Sequence, residues 1–268
     1  MSLNSFTSTV PAELSGATQL DTILLYRNKL TGTLPDSLSR LRLLRNLLIQ
    51  YNALTGPLYS VFDNNTQTTL HYVALNNNQL TGTLPESLLS NANLQNLYMD
   101  NNCFHGTLPT SVCNSTQLEV LSLGCLKSAS QCVRYPFQPI SNSFTLHNPL
   151  QGTLPTCILE LPSLQLLNLA GNQLTGSLPN KINLGANLSN IVLLYNKFTG
   201  HIPESIQTHS LFNLYLSHNH FSGKLLHQST PFATQQYWNI VYNRLTGSIP
   251  SAVRSAYSID MLTGNMFS

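Results

Sequence analysis

One phrase recurs from end to end of this 268-residue chain. Its clearest copy runs from Leu164 to Pro179 and reads L-x-x-L-x-L-x-x-N-x-L-T-G-x-L-P. Aligned on the asparagine, copies fall at Asn4, Asn28, Asn52, Asn78, Asn102, Asn148, Asn172, Asn196, Asn219, Asn243 and Asn265, with spacings of 24, 24, 26, 24, 46, 24, 24, 23, 24 and 22. The interval of 46 reads as two units, because Leu118-x-x-Leu121-x-Leu123 leads to Leu126, where an asparagine would stand. Such a period restricts the chain to an array in which each unit touches only its neighbours and about ten units form one continuous body.

The phrase explains itself residue by residue. The alternation in L-x-L has period two, which makes a short strand with one face buried. Stacking the units places these strands in a parallel sheet. The asparagine amide carries donors and an acceptor, so it can satisfy backbone groups that the stack would otherwise bury unpaired. Leu126 has no such amide, so an irregular repeat is expected at 126–147. Glycine follows four residues later, as at Gly32, Gly56, Gly82, Gly152 and Gly176, and marks backbone that needs positive φ or close approach. The Leu-Pro step buries a leucine and presets φ for a short helical turn.

This pattern resembles the plant-type leucine-rich repeat, L-x-x-L-x-L-x-x-N-x-L-T-G-x-I-P, over essentially the whole chain. The G-T-L-P variant at Gly32 to Pro35, Gly82 to Pro85, Gly106 to Pro109 and Gly152 to Pro155 is also similar to repeats of kinetoplastid and other protist surface antigens. The plant family includes receptor-like ectodomains and polygalacturonase-inhibiting proteins. The resemblance implies an α/β solenoid: a right-handed superhelix with a parallel β-sheet on its concave face and short helical or 3-10 turns on its convex face. It also implies an extracellular or cell-surface protein that binds a protein, a peptide or a cell-surface glycan without catalysis and without a cofactor. A structural or adhesive coat of the cell surface is the alternative role. The chain departs from the plant family in lacking the paired-cysteine N-terminal cap, and it contains no signal peptide, kinase or membrane span. Residues 1–268 therefore read as one domain, cut within a repeat at both ends, a fragment to which a membrane anchor or kinase could be joined.

Charge narrows the partners further. Lys and Arg number 12 against 10 Asp and Glu, so the chain has no electrostatic footprint for nucleic acid. Three Asn-x-Ser/Thr sequons, at Asn64, Asn114 and Asn187, fall on the loop side of the repeat and fit a secreted glycoprotein. The five cysteines are Cys103, Cys113, Cys125, Cys132 and Cys157, without the paired spacing of a zinc site. A disulfide between Cys125 and Cys132 is expected, with Cys103 to Cys125 as the rival. The same irregular stretch carries Arg134, Tyr135 and Phe137, which would help to select a partner.

Strand alternation also identifies the exposed positions of the sheet face. They are rich in tyrosine and asparagine, and tyrosine offers a rigid ring with one hydroxyl at low entropic cost. The candidate ligand-binding residues are Tyr26, Arg27, Tyr51, Tyr72, Tyr98, Asp100, Asn168, Tyr195, Tyr215, His218, Tyr237 and Tyr242. No nucleophile, Walker, Rossmann or metalloprotease spacing occurs, and the nearest carboxylate pair on this face is Asp100 with Glu119. His218 and His220 are the closest histidine pair, and no metal site is expected of them.

Overall fold

Alternation in L-x-L makes ten short parallel strands, and in the first nine the middle side chain is turned inward. The structure, a computed structural model, describes residues 4–124, 150–226, 237–250 and 258–268. The strands are β1 (Thr22–Leu24), β2 (Asn46–Leu48), β3 (Tyr72–Ala74), β4 (Asn96–Tyr98), β5 (Val120–Ser122), β6 (Leu166–Asn168), β7 (Asn190–Val192), β8 (Asn213–Tyr215), β9 (Tyr237–Asn239) and β10 (Ser258–Asp260). They pair in chain order as one sheet. Register is exact from rung to rung, with Ile23 beside Leu47 and Leu47 beside Val73. These middle residues are buried, whereas their neighbours Thr22, Asn46 and Tyr72 are half-buried on the concave face. A one-residue slip would exchange the two sets, so burial of the leucines fixes the register.

The repeat asparagines lock the rungs together. Asn78 donates its amide to the carbonyls of Leu75 (2.9 Å) and Ile49 (3.1 Å), and its Oδ1 accepts from the Leu54 N–H (3.1 Å). Each contact serves a backbone group that faces the core at the end of a strand. Asn102, Asn172, Asn196, Asn219 and Asn243 repeat the arrangement. All five are buried, which is tolerable only because every amide group is matched.

After the asparagine the chain forms a second parallel sheet that the sequence pattern had not suggested. The Thr-Gly segments are strands here, as in Lys29–Gly32, Ala53–Gly56 and Gln79–Thr83. Seven such strands stack in one sheet and four in another. The glycine requirement is steric as well as conformational. Gly56 has φ +80°, and a Cβ there would lie 2.5 Å from the Thr33 methyl of the preceding rung. The leucine-proline step then opens one turn of helix, 3-10 at Asp36–Arg40 and α at Glu86–Leu89, with Pro35 at φ −73°. Solenoid, concave sheet and helical convex turns thus stand as the repeat implied. Among the described residues no helix is long and apolar enough to cross a membrane.

The irregular repeat expected at 126–147 lies outside the described residues, together with Arg134, Tyr135 and Phe137. The rungs on either side of it are described, and they meet directly. Leu121 of β5 pairs with Leu97 of β4 on one side and Leu167 of β6 on the other. Asn172 donates to the Leu123 carbonyl (3.1 Å), 49 residues back in sequence yet one rung away. In the second sheet Gln151 pairs with Thr107 and with Gln173. The repeat that starts at Leu118 is therefore completed by the segment from Leu150, which holds the place that Leu174 holds one rung on. Cys125 and Cys132 also lie outside the described residues. The disulfide that is described joins Cys113 to Cys157 and had not been considered. It links the helical turns Thr110–Asn114 and Thr156–Glu160 on consecutive rungs, beneath the interval. Cys103 is disulfide-bonded as well.

Candidate functional site

The residue immediately before each asparagine turns the chain out of the strand, and it does so in the left-handed region. Arg27, Tyr51, Asn77, Asn101, Tyr195, His218 and Tyr242 all have φ between 52° and 59°. Gly171 and Gly264 take the same place at 65° and 71°. Glycine adopts this conformation freely, whereas a bulky L-residue is strained by about 1 kcal/mol or more. Seven side chains are thus held in one column along the rim of the concave face against a local penalty.

Contacts along the column offset part of that penalty. The Arg27 guanidinium sits 5.4 Å from the Tyr51 ring centre. The Asn101 amide donates to Asn77 Oδ1 (3.1 Å). Tyr195 and His218 stack with ring centres 4.0 Å apart, and Tyr242 closes the other side of His218 at 4.4 Å. Burial between the two rings lowers the His218 pKa from its ordinary 6.5, so this imidazole is neutral at neutral pH. Its Nδ1 is buried with no hydrogen-bond partner. Such rim contacts are each worth about 0.5–1.5 kcal/mol.

A different chemistry occupies the floor at β4, β5 and β6. Oδ1 of Asp100 accepts from Ser122 Oγ (2.5 Å), the Gly124 N–H (2.9 Å) and Asn168 Nδ2 (3.3 Å). Asn168 Nδ2 also donates to Ser122 Oγ (3.0 Å), and Asn168 Oδ1 accepts from the Ala170 N–H (3.1 Å). Gly124 leaves these side chains room, since a Cβ there would lie 3.0 Å from the Asn168 amide and 3.2 Å from Asp100 Oδ1. All three donors to the carboxylate are neutral. Burial raises the Asp100 pKa above 3.8, against the opposing pull of the Ser122 and Gly124 hydrogen bonds. Tyr98, two residues earlier on the same face, has its ring 5.6 Å from that of Tyr72. Burial, the Tyr72 phenol and the Asp100 charge all raise the Tyr98 pKa above 10.0.

The pattern of rungs can now be set beside known proteins. A family model described as Leucine Rich Repeat matches residues 19–41, 69–91, 93–115 and 163–183. The ectodomain of the plant membrane receptor kinase GASSHO1/SCHENGEN3 from Arabidopsis thaliana, solved with CASPARIAN STRIP INTEGRITY FACTOR 2, superposes with a TM-score of 0.82 at 31% identity, over 100% of this chain and 30% of that one. This chain is a leucine-rich-repeat solenoid. The plant peptide hormone receptor RGFR1, solved with RGF2, matches at 28% identity and a TM-score of 0.74, over 100% of this chain and 43% of that one. The Arabidopsis receptor kinase HAESA, solved with the peptide hormone IDA and the co-receptor SERK1, matches at 27% and 0.63, over 100% and 49%. The solenoid thus spans less than half of each of these receptors' structures. No curated protein sequence matches it.

Within this leucine-rich-repeat frame the expected face residues fall into three groups. Tyr26, Arg27 and Tyr51 lie on the first two rungs. Tyr72, Tyr98, Asp100 and Asn168 surround the junction of β4 to β6. Tyr195, Tyr215, His218, Tyr237 and Tyr242 occupy the later rungs, where Tyr215 donates to Asn213 Oδ1 (3.2 Å) and Tyr237 meets Phe212 edge-on at 5.6 Å. Ser122 and Gly124 were missed, because counting back from asparagines skips the rung whose asparagine is displaced. Asp100 and Glu119 do not converge. Glu119 precedes Val120, which pairs with Asn96, so the two carboxylates sit roughly 16 Å apart along the strand direction. His218 and His220 diverge too: the first is held between tyrosines and the second is exposed on the strand His220–Lys224. Among the described residues no three His, Cys, Asp or Glu side chains gather as metal ligands. Asn114 and Asn187 are exposed, while Asn64 is half-buried and donates to Ser90 Oγ (2.9 Å).

Proposed function

We propose that this solenoid is a non-catalytic recognition module that binds an extended peptide or protein segment along its concave face. The observation that carries the reading is the rim column. Seven non-glycine residues keep a left-handed backbone at a position where glycine occurs twice without strain. Strain retained in this way is a mark of function, and here it aims arginine, tyrosine, asparagine and histidine side chains along one line. Tyrosine and arginine are the side chains that dominate binding energy at interfaces. The peptide hormone receptor RGFR1 and HAESA, solved with a peptide hormone, support the same reading by analogy of fold.

An extracellular or cell-surface setting goes with it. The Cys113–Cys157 disulfide belongs to an oxidising compartment, and the exposed Asn114 and Asn187 are open to glycosylation. A membrane anchor or kinase joined to this segment would make it a receptor ectodomain. The test is selection of linear peptides from a displayed random library on the purified protein, followed by affinity measurement on Tyr98→Ala and Tyr242→Ala variants. Enriched peptides that bind both variants at least tenfold more weakly support the reading. Failure to enrich any peptide, or enriched peptides indifferent to both substitutions, overturns it.

A further inference from the structure

The junction of β4, β5 and β6 holds a carboxylate whose charge nothing in the described structure balances. Oδ1 of Asp100 takes all three hydrogen bonds, and no Lys, Arg or His reaches either oxygen among the described residues. Oδ2 accepts no hydrogen bond from another described residue, which leaves it acceptor capacity. The orientation is rigid, since Ser122, the Gly124 N–H and Asn168 approach from the next two rungs. Beside it stands Tyr98, the last residue of β4, two residues and about 7 Å back along the chain. Tyr72 stands against Tyr98 with its ring tilted by 37°, so the pair presents two inclined aromatic surfaces. Both rings are half-buried, as is Asp100 itself.

Partly buried carboxylates gain most from a cation that arrives already desolvated, because the surrounding dielectric strengthens the attraction. Inclined tyrosine faces favour the same kind of charge through the ring quadrupole. A planar guanidinium satisfies both, donating a fork of N–H groups to Oδ2 while its plane lies on a tyrosine. We infer that Tyr72, Tyr98 and Asp100 form a subsite for one basic side chain of the bound segment, with arginine the best fit. This subsite rests on the peptide-recognition reading for its biological occupant, but its chemistry can be probed alone. Ser122 and Asn168 are positioning residues, since they act on the cation only through the carboxylate.

The probe is acetyl-arginine amide, titrated into the protein while tyrosine ring resonances are followed by NMR, with acetyl-citrulline amide as the neutral isostere. Asp100→Asn keeps an acceptor for Ser122 and Gly124, so the fold is retained while the charge is removed. The expected result is arginine binding at least tenfold tighter than citrulline, with the preference lost in Asp100→Asn. Tyr98→Leu is expected to weaken the arginine probe about fivefold. Equal binding of the two probes, or an undiminished preference in Asp100→Asn, overturns the subsite. The displayed peptide library supplies a second arm. Peptides selected on the native protein are expected to carry a basic residue at one position, and those selected on Asp100→Asn to lose it. An equal basic content in both sets overturns the subsite while peptide recognition stands. Asp100-dependent arginine binding without any enriched peptide supports the subsite and overturns the peptide reading instead.

Discussion

Two stretches of the concave sheet use polar residues in opposite ways. On regular rungs such as β2 to β4, the asparagine that follows each strand has its amide donors and its acceptor matched to backbone. Asn78 is the example: two carbonyls, one N–H, nothing left over. At the junction of β4, β5 and β6 the bonds run between side chains, and they converge on one oxygen of a carboxylate, Asp100 Oδ1. The repeat asparagine commits its capacity to backbone, whereas the Asp100 group commits it to neighbouring side chains. On the proposed reading, recognition chemistry concentrates at this junction and along the rim, where the repeat leaves side-chain identity open.

The largest test of this contrast is at the junction's foundation. Replacing Cys113 and Cys157 together by alanine opens a loop of 44 residues. The chain-entropy picture puts the loss at about 4 kcal/mol, read as a lower urea midpoint. A loss below about 1 kcal/mol would mean that the two rungs hold together without the staple. On a regular rung, Asn78→Ala strands the Leu54 N–H and the Leu75 and Ile49 carbonyls, and is expected to cost about 3 kcal/mol. A smaller change, under about 1 kcal/mol, would break the claim that regular rungs depend on their amides.

The rim is tested by a pair of variants. His218→Gly removes strain and stacking together, and is expected to leave stability within about 0.5 kcal/mol of the native value. His218→Ala keeps the left-handed strain and loses the stack, so it should be about 1 kcal/mol less stable than the glycine variant. Both should weaken library-selected peptides. The smallest effect belongs to Asp100→Asn. Its carboxyl pKa is raised in the fold, so between 3.8 and the raised value the native state holds a proton that the unfolded chain has released, and above that window the ionised group opposes folding. The variant should gain a little in melting temperature at pH 7, and the gain should fade as pH is lowered past the raised value and vanish below 3.8. A constant gain at every pH would assign it to packing.

Leucine, asparagine, glycine and proline made the rungs legible, because each answers a backbone demand that recurs with the period. Strand alternation likewise placed Tyr72, Tyr98 and Asp100 on one face. Pairing across the interval was not legible, since a length of 46 between Asn102 and Asn148 divides evenly into two repeats. That arithmetic allowed one further unit in the interval, and the direct pairing of Leu121 with Leu167 leaves no place for its strand between β5 and β6. The same misalignment hid the disulfide. Cys113 and Cys157 follow Pro109 and Pro155, the prolines of consecutive turns, a relation visible only once the interval is set aside. The second sheet was hidden for another reason: Thr-Gly reads as a turn in isolation and becomes a strand only when its neighbours supply partners. Positive φ before the asparagine had no signal at all, since arginine, tyrosine, asparagine and histidine all occupy it.

Rungs and ligands are ruled in different units. Neighbouring strands lie about 4.8 Å apart, while an extended peptide advances about 3.3 Å per residue. Side chains on one face of such a peptide recur every ~6.6 Å, which no whole number of rungs matches over short distances. Like the two scales of a vernier, they coincide only at intervals. From the rung of Asp100 to that of His218 there are four steps, roughly 19 Å, or about six extended residues. A ligand shorter than that can engage the junction or the aromatic stack, but not both, and a longer one is measured by the span between them.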